Sequence, residues 1–303
     1  MSQALAARRP AWLDPALYPF SPRCWNTPEG AISYLDEGSG PTVLLVHGTP
    51  SWSFEFREVV RDLATQYRVI APDHLGFGLS DKPARAALRP EDHARRLAAL
   101  VAALDLRDVI LVVHDFGGPI GLPLALEPSG RVRALVVLNS WCWPSDGDPA
   151  IARIDRLVRS PLGRFLYRWL SFSARVILPQ AFGDRRRLTA AVHRHYLGPL
   201  ASRRDREGTY ALARALRGSD AHYASLWQRR ERLAKLPMTL VWGERDPVLT
   251  QQHRERWTSA FPNARLIAVA DAGHFVAEER PDVVAAAIRN LAVSAVQPAR
   301  ASS

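Results

Sequence analysis

Cysteine is scarce in this chain: Cys24 and Cys142 are the only two in 303 residues, too few for a disulfide framework or a zinc site. No apolar run approaches the roughly 20 residues of a membrane-spanning helix. The stretch M-S-Q-A-L-A-A-R-R-P-A-W-L-D-P carries two arginines but no apolar segment followed by small residues, so no secretory leader is expected. On these absences a cytoplasmic protein is expected. No phosphate-cradling G-x-G-x-x-G follows a strand-like run. Internal repeats and low-complexity stretches are missing too, and the residues after Ala292 read as a frayed tail. What is present, 23% charged and 47% hydrophobic residues, suits a globular chain with a full core.

A net charge of +10 suggests nucleic acid until its distribution is examined. Between Ile151 and Lys235 there are 19 Arg and Lys against 6 Asp and Glu, a local excess of +13 that leaves the remainder at −3. That segment has neither the basic-aromatic signatures of RNA-binding modules nor zinc-finger spacing, so nucleic acid is not the expected partner. It reads as a solvated helical face, or as a surface for an acidic partner or an anionic surface.

Apolar, β-branched runs at Thr42–Val46, Tyr67–Ala71, Val109–Val113, Val132–Leu138, Met238–Trp242 and Ala264–Val269 predict strands, with helical patterns between most of them. Such alternation means an α/β fold, a mostly parallel sheet with helices on both faces. Trp141 to Leu236 is instead strand-free and Arg-rich. Residues 1–140 and 237–303 are therefore expected to form the core, and 141–236 a helical cap inserted between two strands, over the strand ends where open sheets bind ligands. The apolar faces of that cap should close over the site while its arginines point to solvent.

Three residues fall into one order at strand ends. Asp115, in L-V-V-H-D-F-G-G-P-I-G, stands where a buried strand stops and turns on two glycines into a helix. Asp246, in V-W-G-E-R-D-P-V, follows the first strand after the cap, and His274, in D-A-G-H-F, follows the last. Singly, each has a plainer reading as a helix cap, a turn former or a structural histidine. Jointly, nucleophile, acid and histidine in that order are the arrangement of the α/β-hydrolase triad. H-G-T-P, His47 to Pro50, follows the strand at Thr42–Val46, and the oxyanion donors would be the backbone N–H groups of Thr49 and Phe116. His47 and Asp73 are expected to hold turns, and the Thr49–Pro50 bond is expected to be cis.

H-G-T-P-S-W-S-F, A-P-D-H-L-G-F-G-L-S-D-K-P, H-D-F-G-G-P-I-G, N-S-W-C-W-P and A-G-H-F-V-A-E-E together resemble the haloalkane dehalogenases, over about Leu17 to Leu291. The acid after the cap, with none at Asn139 or Ser140, resembles the first and third subfamilies. L-Y-P-F-S-P-R and N-S-W-C-W-P favour the third, which by resemblance includes the β-lactone decarboxylases of bacterial long-chain olefin synthesis.

Chemistry explains the carboxylate. Attack on an ordinary ester would give an anhydride and gain little, whereas attack on a saturated carbon bearing a leaving group gives a stable alkyl ester. His274, held by Asp246, would then activate water against that ester, with no metal or organic cofactor required. The resemblance implies a halide held by a Trp directly after the nucleophile and by a second donor, an Asn after H-G or a cap Trp. Here Phe116 and Thr49 occupy those places, and each charge-assisted hydrogen bond lost is worth about 1.5–3 kcal/mol. Trp141, Trp143, Trp169 and Trp227 are candidate substitutes, and Trp141, Trp143 and Trp52 are candidate pocket residues for a small apolar substrate. A β-lactone needs no halide cradle. An epoxide would need an acidic tyrosine, for which Tyr167, Tyr196, Tyr210 and Tyr223 are candidates. A non-catalytic ligand-binding protein of this fold would not need an intact triad.

Overall fold

Among the described residues, eight strands make one sheet: β1 Arg23–Thr27, β2 Gly30–Glu37, β3 Thr42–Val46, β4 Arg68–Pro72, β5 Val109–Asp115, β6 Val132–Ser140, β7 Met238–Gly243 and β8 Arg265–Val269. The computed structural model that places them describes residues 9–145 and 147–294. Strand order is β1-β2-β4-β3-β5-β6-β7-β8; β2 is antiparallel to both its neighbours, β1 and β4, and every other pairing is parallel.

The fully buried run V-I-L-V-V-H-D puts β5 in the middle of the sheet. Its side chains alternate between two cores: Ile110 and Val112 on one face, Val109, Leu111 and Val113 on the other. Both faces are thus covered by helices, the condition that makes parallel strands read as unbroken apolar runs. β1 and β2 were not expected, and the reason is local. R-C-W-N-T is only partly buried along its length, and in β2 the buried stretch Ile32–Leu35 is interrupted by Ser33, so neither strand carries an apolar run to reveal it.

β5 and β6 also extend past the apolar runs that announced them, ending on Asp115 and Ser140. From Trp141 to Pro237 the described residues form helices and turns only, including Pro149–Arg159, Pro161–Leu170, Ala190–Leu197 and Glu207–Gly218. The helix Pro281–Ser294 runs into the expected tail, whose remainder lies outside the described residues, as does the start of the N-terminal stretch. No described helix is long and apolar enough to cross a membrane.

Candidate active site

After β3 the chain passes to β4 on one side of the sheet, and β5 lies on the other, so the strand order reverses between β3 and β5. Loops leaving such a switch point diverge and open a crevice at the strand ends. Thr49, just beyond β3, and Asp115, ending β5, meet there: the Thr49 N–H donates to Asp115 Oδ2 at 2.8 Å. The Thr49–Pro50 peptide is cis.

Asp115 has a φ of 50°, a left-handed conformation that costs a non-glycine residue roughly 1–2 kcal/mol. Close packing imposes it. A Cβ on Gly48 would lie 2.3 Å from Asp115 Oδ2, and one on Gly117 would lie 2.1 Å from the Val46 carbonyl oxygen, so two glycines let the turn at Asp115 press against the turn after β3. Ser140 completes the hold by donating its hydroxyl to the Asp115 carbonyl at 2.6 Å.

His274 follows β8 and is buried between two carboxylates. Its Nδ1 donates to Asp246 Oδ2 at 2.7 Å, and its Nε2 lies 3.6 Å from Asp115 Oδ1, an electrostatic contact beyond hydrogen-bond length. Burial pushes the imidazole pKa down. The charge and hydrogen bond of Asp246, together with Asp115, push it up harder, and it stands well above its usual 6.5. Burial likewise works to raise Asp246, but His274 and the backbone N–H groups of Leu249 and Val248 outweigh it and leave its pKa lowered. Asn139 donates a further bond to Asp246 Oδ2 at 2.8 Å.

An α/β-hydrolase fold model matches residues 41–281. Haloalkane dehalogenase 2 of Mycobacterium tuberculosis is 35% identical over 91% of this chain and 96% of that protein. The chain belongs to the haloalkane dehalogenase-like α/β-hydrolases. A cis-3-alkyl-4-alkyloxetan-2-one decarboxylase of Xanthomonas campestris is 33% identical over 90% of this chain and 96% of that protein. The crystal structure of haloalkane dehalogenase DbeA from Bradyrhizobium elkani shares the fold, with a TM-score of 0.81 at 24% identity, covering 91% of this chain and 99% of that one.

A cavity of about 380 Å³ lies above this α/β-hydrolase constellation. Asp115, His274, Thr49 and Phe116 line its floor; Trp141, Trp143, Leu157, Val158, Tyr167 and Phe172 are among its apolar walls, and no arginine lines it among the described residues. Of the three candidate pocket tryptophans, Trp141 and Trp143 line the cavity and Trp52 does not. Its indole is fully buried away from the cavity, stacks on Phe54 and donates to the His195 carbonyl at 2.9 Å, so it fastens the core to the helix Ala190–Leu197. Trp169 is exposed and Trp227 packs behind Trp143. Among the four tyrosines only Tyr167 reaches the cavity; Tyr196, Tyr210 and Tyr223 donate to Glu278, Val158 O and Ala215 O.

His47 holds its turn as expected. Its Nε2 accepts from the His74 N–H at 3.0 Å, its Nδ1 bonds the Gly48 carbonyl at 2.7 Å, and burial keeps its pKa well below 6.5. Asp73 accepts from the Ser53 and Leu79 N–H groups, with burial raising its pKa to about 6.

Two supports escaped the sequence reading. His114 Nε2 donates to the His274 carbonyl at 2.8 Å while its Nδ1 faces both oxygens of Glu55 at 3.1 Å, a buried pair joined across 59 residues. Asn139 is the second, and a polar residue near the end of the strand V-R-A-L-V-V-L-N-S is its signal in the sequence. It braces Asp246 and also accepts from the Gly243 N–H at 2.8 Å, with a φ of 29°. Asn139→Ala is therefore expected to lower stability by roughly 2–4 kcal/mol, the sum of buried hydrogen bonds and a left-handed backbone. Asn139→Gly should lose less in urea denaturation, because glycine removes the backbone part.

Proposed function

We propose that the protein is a hydrolase of the haloalkane dehalogenase type, in which Asp115 displaces a leaving group from a saturated carbon. The observation that carries this reading is a carboxylate at the nucleophile turn, facing an apolar cavity, with His274 3.6 Å from its free oxygen. Residues 141–236 would act as the cap over a core of 1–140 and 237–303.

The charges suit two successive steps. Thr49 N–H occupies Asp115 Oδ2, leaving Oδ1 to attack a carbon held among apolar walls. Alkylation neutralises Asp115 and so removes one of the charges that hold the His274 pKa up. His274 can then give up its proton and act as base for water attacking the ester carbonyl, while the Thr49 and Phe116 N–H groups face the developing oxyanion. Asp246 stabilises the imidazolium that forms.

The departing group finds donors other than residue 116. Thr49 Oγ1 is buried without a partner, and among the described residues neither the Trp141 nor the Trp143 indole N–H has a protein acceptor, although both rings line the cavity. Phe116 favours a second reading, a cis-β-lactone substrate like that in the name of the Xanthomonas relative. Asp115 would open the ring at the oxygen-bearing carbon. The released carboxylate, still tethered, would leave as carbon dioxide, its electrons forming the alkene and expelling Asp115. An epoxide hydrolase has only Tyr167 in place as an acid, with burial raising its pKa to about 12.

The test is a parallel assay of purified protein on a bromoalkane panel and a cis-3,4-dialkyl-β-lactone, following bromide and alkene. Bromide release is the expected result. Alkene alone would transfer the assignment to the second reading, and neither product would remove both.

A further inference from the structure

The cap carries its apolar residues on the outside as well as the inside. Of ten large apolar side chains that stand exposed among the described residues, seven fall between Ile154 and Val176. Leu162, Phe165 and Trp169 lie at positions i, i+3 and i+7 of the helix Pro161–Leu170, a single stripe facing water while Gly163 and Tyr167 face inward. Ile154 and Leu157 stand exposed on the preceding helix, Pro149–Arg159, and both also line the cavity. The two helices are in tight contact, since a Cβ on Gly163 would lie 2.0 Å from the Leu157 carbonyl oxygen. An apolar surface thus borders the opening of the cavity.

Its charge has one sign. Residues 149–176 hold six arginines and a single carboxylate, Asp155, which is bound to Arg159. Arg153, Arg156, Arg164 and Arg175 have no carboxylate partner among the described residues, and Arg203 lies over the exposed Trp169 ring at 5.0 Å. Exposed apolar stripes of this kind are kept for an occupant. A second copy of the same face would set these arginines against their own kind, whereas an anionic bilayer accepts both the guanidinium groups and the Leu, Phe and Trp side chains.

We propose that the surface formed by Pro149–Arg159, Pro161–Leu170 and the turn Ser173–Ile177 docks the protein on an anionic phospholipid membrane, with the cavity opening toward the lipid. An apolar substrate dissolved in the bilayer would then enter without crossing water. The docking stands on the surface alone; only the substrate route rests on the proposed function.

Full-length protein is floated with vesicles of mixed phosphatidylglycerol and phosphatidylcholine, and with phosphatidylcholine alone. The expected result is flotation with the anionic vesicles, weaker by about tenfold or more on the neutral ones, and reduced by salt. Joint Leu162→Ser, Phe165→Ser and Trp169→Ser, and separately joint Arg153→Gln, Arg156→Gln and Arg164→Gln, should each weaken binding by about tenfold or more. Because these side chains are exposed and outside the cavity lining, turnover of a short water-soluble substrate should stay unchanged in both variants. Absence of flotation, equal flotation on both lipids, or insensitivity to both variants overturns the proposal. So does self-association that the serine variant abolishes, which would give the face to a second copy. Absence of turnover by the parent protein on every substrate, while it still floats with the anionic vesicles, would count against the proposed function and leave the docking standing.

Discussion

Asp115→Asn is expected to lower turnover of any accepted substrate by at least about 10⁴-fold, the scale on which losing a nucleophile stops a covalent pathway. The amide still fits the turn and can accept from the Thr49 N–H, so its shape is kept and its nucleophilicity is lost. Stability should respond in a pH-dependent way that a merely structural residue would not produce. His274 has a raised pKa in the folded protein, so its contribution is full below its unfolded value of about 6.5 and fades as pH rises through the folded one. Asp115 is one of two carboxylates responsible. The variant should therefore lie furthest below the parent in melting temperature between about pH 5 and 6, and approach it in alkali. A gap that does not change with pH would remove the charge coupling between Asp115 and His274, and residual turnover within tenfold of the parent would remove Asp115 as nucleophile.

The strand pattern and the order Asp115, Asp246, His274 were legible because each depends on local sequence: a buried parallel strand is an apolar run, and the candidate site residue follows it. β1 and β2 were not, since β1 is a partly exposed edge strand and the buried stretch of β2 is short and interrupted by Ser33. Asp115 and Thr49 could be paired in advance through the turns they end. The Glu55–His114 pair could not, because adjacent residues of β5 point to opposite faces and His114 reaches a partner 59 residues away. Trp52 shows the converse limit. It was a candidate pocket residue, but the turn after Pro50 carries it into the core beside Phe54. Residues 141–236 were legible as helical and basic, yet composition cannot tell which way an amphipathic helix faces when it has two apolar sides. Leu162, Phe165 and Trp169 therefore came out exposed where a buried face was expected.

His274→Gln should separate the two halves of the reaction. Attack by Asp115 needs only its free oxygen and a bound alkyl group, so the variant should still form the ester. Hydrolysis needs a base, and glutamine has none. In the parent, the ester has neutralised Asp115, and the imidazole left with Asp246 alone can lose its proton, so the rate of ester breakdown should rise with pH until His274 is fully neutral. In the variant that pH dependence should vanish along with turnover. Intact mass after incubation with a bromoalkane should then show one alkyl adduct with loss of hydrogen bromide, and peptide mapping should place it on Asp115. A β-lactone behaves differently, because loss of carbon dioxide from its ester returns the Asp115 carboxylate without water. That substrate should therefore continue to give alkene with His274→Gln while a bromoalkane stalls. An adduct mapped to any other residue would end the case for Asp115. If the bromoalkane that the parent hydrolyses is turned over at the same rate by the variant, His274 is not the base.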